Sequence, residues 1–357
     1  MIKKIIKSEF YTIVVDKDND TYVWGIYDNN RVSYPKIIDY EFSNIIKGTG
    51  NCIYTNDNNG SYCHELRDKH PCSKLQFIIK KIVSGGNHTF IISTAGMVYA
   101  KGSNAYGQLG ITEMISYSNG FVAIGTKYKK IVCGGYHTFA FAENMDDIYA
   151  FGCGFEGRLG NGKEEIFNYP QKLKYKFKKI SAGECHSLAI GTDNHTYSWG
   201  SNLFGQLGLS FPCGHSANIP NKLGYDFKKI YCSDINSFGI DVNNELYSWG
   251  SNRFGQLGLG WNMDGDLRLF EPIKINFKVS RMYCSSNNYM AVDVNNDIYV
   301  WGNGESLGLG NVKSQPRPVI TKFVFMDYKK RDKQLKSKLL NILLSDKNVD
   351  VVVILQG

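Results

Sequence analysis

The sequence predicts an all-β chain folded as a seven-bladed β-propeller followed by a short helix–strand tail. Three observations carry this. The stretch Tyr247-Ser248-Trp249-Gly250-Ser251-Asn252-Arg253-Phe254-Gly255-Gln256-Leu257-Gly258 has a near copy one unit upstream, Tyr197 to Gly208, and a third from Tyr99 to Gly110. Each copy follows short apolar runs of strand character. Units of this kind recur about seven times over residues 1–326. A fixed long period marks a repeat architecture whose units bury their faces only against one another. Small antiparallel sheets set radially achieve this and leave only short, protected edges.

The clearest unit justifies the elements in order. Lys81-Ile82-Val83-Ser84 reads as a strand ending at Gly85-Gly86, and His88-Thr89-Phe90-Ile91-Ile92 as a second strand. The turn Ser93-Thr94-Ala95-Gly96 then leads to a third, Met97 to Gly102. Other units begin at Ile5, Ile45, Lys130, Ile180, Ile230 and Met282, and the second is badly worn, with Asn51 at the place of His88 and Glu65 at that of Gly102. Trp24, Gly25, Gly102, Gly152, Trp199, Gly200, Trp249, Gly250, Trp301 and Gly302 are the structural repeat positions. An aromatic there packs between sheets, and a glycine turns where a side chain would clash.

Between Gly-Gln-Leu-Gly and the next apolar strand lies an extended segment such as Tyr169-Pro170-Gln171-Lys172-Leu173. The first unit has none before it, and the last has one to spare. The expectation is that a strand within 316–325, around Pro318-Val319-Ile320, completes the first blade and latches the ring. Residues 327–357 form a basic connector (Tyr328-Lys329-Lys330-Arg331-Asp332-Lys333), a helix-compatible run to Leu344 and the apolar strand Val349 to Leu355.

Composition narrows the function classes. The net charge of +8 is modest, and its concentration in the connector reads as a solvated face. Nucleic-acid binding would require a broader basic stripe with stacking aromatics. The N-terminus carries no signal-peptide pattern, and no apolar run reaches the length of a membrane span. Nine cysteines show no pairing framework, and Cys133, Cys232 and Cys284 share one repeat position, a small buried slot rather than disulfides. The chain reads as intracellular, cytoplasmic or nuclear. Cys63, His64, His70 and Cys72 lack a standard zinc spacing and read as a solvated loop, so no metal is assigned. The glycine-rich turns do not open helices, so no phosphate loop or other cofactor is expected, and no nucleophile–base–acid pattern is present.

The pattern Gly-Gly-x-His-Thr-Phe, a turn, then Tyr-x-Trp-Gly-x-Asn-x-x-Gly-Gln-Leu-Gly resembles the repeat of the regulator of chromosome condensation (RCC1) family, over roughly residues 1–325. The resemblance implies a seven-bladed propeller. The founding member is a guanine-nucleotide exchange factor for the small GTPase Ran and also binds nucleosomes, while most members are protein-interaction modules. The family's histidine positions map to His88, His137 and His186, with Tyr11, Asn51, Asn236 and Asn288 in the remaining units. With Asp234, the His and Asn of units three to seven are the candidate partner-binding residues. The competing role for these side chains is to hold a loop by hydrogen bonding. The tail resembles the opening of a BTB (POZ) domain. The reading is a scaffold for a protein partner. Its alternatives are exchange activity toward a Ran-like GTPase, a BTB-type ubiquitin-ligase adaptor, and chromatin binding.

Overall fold

The computed structural model of the chain describes residues 2–7, 11–16, 21–27, 30–37, 45–49, 52–65, 73–111, 116–210, 214–260, 267–303, 307, 309, 314–321, 324–326 and 353–355. The third unit sets the pattern. Its strands Ile79–Ser84, His88–Ser93, Val98–Ser103 and Tyr117–Ala123 form one antiparallel sheet, in sequence order from one edge to the other. Four further four-stranded sheets repeat this order. The last sheet has seven strands because Arg268–Ser285 runs on from one unit to the next, pairing with Glu245–Ser251 through its first half and with Asn288–Asp293 through its second. The molecule is an all-β propeller.

Burial explains the pattern. The second strands are covered on both faces and read as apolar runs, as in His137–Phe141, where every residue is buried. First strands are covered less completely, with Ile79 and Ile82 buried and Lys80 and Lys81, set between them by a bulge, exposed. Fourth strands such as Phe167–Lys172 are mostly exposed and form the outer edge. The core lies between sheets rather than within them. Phe139, Leu159, Phe177, Trp199 and Leu207 make one such layer, and Phe238, Met282, Tyr289 and Trp301 another.

Two glycines of each repeat exist for close approach. At Gly200 (φ 102°) a Cβ would stand 2.5 Å from the Cys185 carbonyl oxygen, and at Gly250 (φ 107°) 2.5 Å from that of Ile235. The closing glycine of Gly-Gln-Leu-Gly lies against the next sheet's indole: a Cβ on Gly208 would meet Trp249 Nε1 at 2.8 Å.

The expected latch is not how the chain closes. Ser314–Thr321 pairs with Ile298–Asn303 of its own last sheet, with Ile320 opposite Tyr299. The first sheet is completed by its own Asn30–Ile37. The reason is local. After the Gly-Gln-Leu-Gly turn the extended segment folds straight back onto the strand it has just left, so each unit is complete in itself. Closure comes from packing instead: Val14 and Trp24 of the first sheet bury against Met290, Val292, Val300 and Leu307 of the last. The first strands touch their neighbours all the way round, from Ile2–Lys7 through Ile45–Thr49, Ile79–Ser84, Lys130–Cys133, Phe177–Ala182 and Lys229–Cys232 to Arg268–Ser285 and back to Ile2–Lys7. They therefore form the inner wall.

Two smaller expectations are also revised. Cys63 and His64 lie on the strand Gly60–Glu65, not in a loop, and point to opposite faces of it. His70 and Cys72 lie outside the described residues, as does the predicted helix of the tail. Of the predicted tail strand, Val353–Leu355 is described, and it pairs in parallel with Val324–Met326.

Close contact at the inner wall sets the first prediction. A Cβ on Gly85 would fall 2.0 Å from the Gly134 carbonyl oxygen of the next sheet, whereas Gly120 has open space around it. Gly85→Ala should lower stability by about 1–3 kcal/mol, the usual cost of overpacking. Gly120→Ala should leave the urea midpoint unchanged.

Candidate functional site

The candidate residues sit where one sheet meets the next. His88, His137 and His186 open their second strands, each paired opposite the glycine that ends the third strand (Gly102, Gly152 and Gly200). Tyr11, Asn236 and Asn288 occupy the same register opposite Gly25, Gly250 and Gly302. In the second sheet the register puts Cys52, not Asn51, opposite Glu65. None of the three histidines is more than 2% exposed. They face a seam between sheets.

Each imidazole reaches the next sheet. His88 Nε2 lies 2.9 Å from Thr138 Oγ1, His137 Nε2 3.1 Å from Ser187 Oγ, and His186 Nε2 2.8 Å from Ser237 Oγ. Those hydroxyls donate onward to main-chain carbonyls, Thr138 to Gln108 at 2.8 Å, Ser187 to Arg158 at 3.3 Å and Ser237 to Gln206 at 2.8 Å. A hydroxyl that donates its proton to a carbonyl must accept at its oxygen. The ring nitrogen Nε2 therefore carries the hydrogen and Nδ1 is bare, and Nδ1 has no hydrogen-bond partner in any of the three. The same carbonyls take a second bond, from Trp199 Nε1 to Arg158 at 3.0 Å and from Trp249 Nε1 to Gln206 at 2.9 Å. Trp301 Nε1 repeats the contact at Gln256, 3.1 Å away.

Burial holds all three imidazoles neutral. It lowers His88 and His186 to about 3, and it lowers His137 well below the ordinary value, helped by the charge of Arg158. Sheet six uses Asn236 instead, and its partner changes with it. Asn236 Nδ2 donates to the Ser251 carbonyl at 2.5 Å, and its Oδ1 accepts from Tyr289 Oη at 3.1 Å. A shorter amide is met by a longer hydroxyl. Asn288 is buried in the corresponding place.

The Gly-Gln-Leu-Gly loops are pinned from within. Asn104, Asn202 and Asn252 Oδ1 each accept the amide of the loop leucine at 3.0 Å. Gln108, Gln206 and Gln256 Oε1 accept the amides of Tyr106, Phe204 and Phe254 at 2.7–2.9 Å. With polar groups directed inward, the loop tips present apolar ones. Tyr106, Phe155, Leu203 and Phe254, from four sheets, are 36–48% exposed. Alternating strand direction places these tips at the same end of the ring as the Gly-Gly-x-His loops. Tyr136 stands edge-on to Tyr106 at 5.5 Å, and the Arg268 guanidinium lies 5.2 Å over Phe204 while donating to the Leu203 carbonyl at 3.0 Å.

Asp234 and Glu184 line the inner edge of this end, where the Glu184 amide donates to the Asp234 carbonyl at 3.1 Å. Both carboxyls are pushed above the ordinary range. Burial acts first on each, and for Glu184 the Asp234 charge adds to it. Of the candidate residues, Asp234 alone combines partial exposure with a place on a ring face. Sequence reading missed the apolar arc because its residues fall one or two places before the loop glycine, where the copies differ. The site offers hydrogen bonding and apolar contact. The seam imidazoles are walled off from solvent, burial pushes the Cys185 and Cys232 thiols up to about 12, and no group of three or more metal-ligating side chains occurs among the described residues.

The model of the RCC1-like domain matches residues 56–338. The chain belongs to the RCC1-like domain family. RCC1-like relatives include the ultraviolet-B receptor UVR8 of Arabidopsis thaliana, 29% identical over 70% of this chain and 47% of the receptor. The human probable E3 ubiquitin-protein ligase HERC6 is 32% identical over 42% of this chain and 15% of the ligase. This chain thus spans about half of the receptor or less of such relatives. Among solved structures, human WBSCR16 superposes with a TM-score of 0.63 at 20% identity, covering 91% of this chain and 82% of that one. Saccharomyces cerevisiae Prp20p gives 0.61 at 19%, covering 93% and 78%. These likenesses show the RCC1-like fold.

The neutral histidines set a pH dependence. Unfolded, each binds a proton below about 6.5; folded, His88 and His186 do so only near 3. Between these values the unfolded state holds more protons, so stability rises with pH, by at most about 1.4 kcal/mol per unit for each histidine. Urea midpoints measured from pH 7 down to 4 should fall steadily below 6.5, and His186→Asn should be less stable at pH 7 with a shallower fall.

Proposed function

We propose that this chain is a seven-bladed ring that holds a protein partner on the end carrying the apolar loop tips. One observation carries the reading: four sheets in succession expose Tyr106, Phe155, Leu203 and Phe254 on one face, in loops pinned by their own Asn and Gln side chains or, at Phe155, by Arg158. Rigid apolar and aromatic anchors supply contact area at little ordering cost, and loops on a rigid scaffold carry binding. The half-buried Glu184 and Asp234 beside them favour a partner with a basic group near its apolar contacts.

The names of the relatives support binding as the activity, since Prp20p is described by its binding to Gsp1p and histones. Exchange activity toward a Ran-like GTPase, chromatin binding and a BTB-type adaptor role for residues 327–357 are the competing proposals. The candidate histidines act in this reading as positioning residues for the Gly-Gly-x-His loops.

Affinity capture from host lysate under nucleotide-depleted conditions tests this. Phe155→Ser with Phe254→Ser should cut recovery of the partner at least ten-fold while leaving the thermal midpoint within a few degrees, because truncating central aromatics costs about 2 kcal/mol or more of binding. Recovery lost only on deletion of residues 327–357 would favour the adaptor. A captured GTPase whose nucleotide release is accelerated would favour exchange. Recovery unchanged by the aromatic substitutions would overturn the proposed face.

A further inference from the structure

The opposite end of the ring carries a feature that the scaffold reading does not use. The first strand of every sheet but the second has a basic residue at one register position. Lys4 stands opposite Val15, Lys81 opposite Ile92, and Lys130 opposite Phe141. Lys179 stands opposite Ile190, Lys229 opposite Ile240, and Arg281 opposite Val292. Because the first strands form the inner wall, these six positions surround the ring axis where those strands begin.

In three sheets a bulge separates these residues from the basic neighbours that precede them. Register shifts fall just before Lys4, Lys81 and Lys179. A bulge leaves one residue unpaired and re-aims side chains. Lys178 and Lys228, on the outer side of this divide, hook turns of their own sheets. Lys178 Nζ donates to Asn194 Oδ1 at 2.6 Å, and Lys228 Nζ to Asn244 Oδ1 at 2.8 Å and the Val242 carbonyl at 3.0 Å. The next lysines reach round the ring instead. Lys179 Nζ donates to the Lys228 carbonyl at 3.0 Å, and Lys229 Nζ to the Ser280 carbonyl at 2.6 Å, both in the following sheet.

Carbonyl acceptors hold these ammonium groups without cancelling their charge. The ion pairs among the described residues lie elsewhere and engage none of Lys81, Lys130, Lys179, Lys229 or Arg281. Carboxylates of the turns at this end are engaged locally: Asp57, Asp241 and Asp293 accept amides of their own turns, Asp193 accepts the His195 amide and the Tyr197 hydroxyl, and Asp147 pairs with Lys172 of the outer strand. The charges feel one another: Lys130 is held below its ordinary value by burial and then by Lys81 and Lys179 on either side. Like charges held this close oppose folding, and a multivalent anion on the axis would relieve all of them together.

We propose that this inner rim binds a compact, multiply phosphorylated anion seated on the ring axis. Cations gathered around one axis suit a compact polyanion, whereas a nucleic acid would call for a long stripe. The clustered phosphates could belong to a soluble molecule or a lipid headgroup.

Calorimetric titration of the full chain with myo-inositol hexakisphosphate at low salt should show one site per chain. Inorganic tripolyphosphate should compete for it. Lys130→Gln with Lys179→Gln should weaken binding at least ten-fold, and should not lower the thermal midpoint of the ligand-free protein, since repulsion is removed. Lys174→Gln with Lys222→Gln, on the outer surface, should bind as the parent does. If the rim double variant fails to fold, Lys229→Gln alone should still weaken binding. Flotation with phosphatidylcholine vesicles containing phosphatidylinositol bisphosphate, lost in the rim variant, would assign the phosphates to a lipid. Several weak sites reduced equally by both double variants would overturn the proposal, as would tighter binding of polyglutamate than of hexakisphosphate, or no heat at all.

Discussion

Main-chain carbonyls of the Gly-Gln-Leu-Gly loops and their Gly-Arg-Leu-Gly variant hold adjacent sheets together. Those of Arg158 and Gln206 accept two bonds from the next sheet, one from an indole and one from a hydroxyl, and the hydroxyl is held in turn by an imidazole of the loop's own sheet. Gln108 accepts the hydroxyl and Gln256 the indole. A buried carbonyl left without partners would cost about 1–3 kcal/mol. Adjacent sheets therefore depend on each other for polar satisfaction as well as for apolar contact. The indole packs on the glycine beside that carbonyl, so the hydrogen bond and the hydrophobic layer fix the same relative position of the two sheets.

This arrangement explains why the repeat tolerates some exchanges and not others. Arg158 replaces glutamine without harm to the seam because the seam uses the main chain, while its side chain turns to Phe155 and Glu156. Asn236 replaces histidine only together with Tyr289, whose long side chain restores the reach. Once the interior is satisfied in this way, the two ends of the ring are free to differ. One end presents apolar tips and half-buried carboxyls, the other an arc of cations.

The fold was legible because its cause is periodic. Strand lengths, turns and the Trp-Gly glycine all follow from residues that recur, and the sheets form where the repeats place them. Two features escaped. The latch was misplaced because an extended segment between two strands can pair with either, and only the tight turn before it decides. The role of His88, His137 and His186 depends on residues about fifty positions away, Thr138, Ser187 and Ser237, that a local motif does not show. The cations around the axis were written in the sequence as scattered Lys-Lys pairs and Arg281. In Lys3-Lys4, Lys80-Lys81 and Lys178-Lys179 a bulge sets the two lysines apart, and a bulge has no signature in composition.

The state of the imidazoles tests this account most directly. Long-range proton–nitrogen NMR spectra of the histidine rings report which nitrogen carries the hydrogen. The account predicts three rings protonated at Nε2 and bare at Nδ1, unchanged as pH is lowered from 7 to 4 while the protein stays folded. Rings that titrate near the ordinary histidine value, or that carry the hydrogen on Nδ1, would contradict it. The hydroxyls would then not be held as described, and the seam would need another explanation.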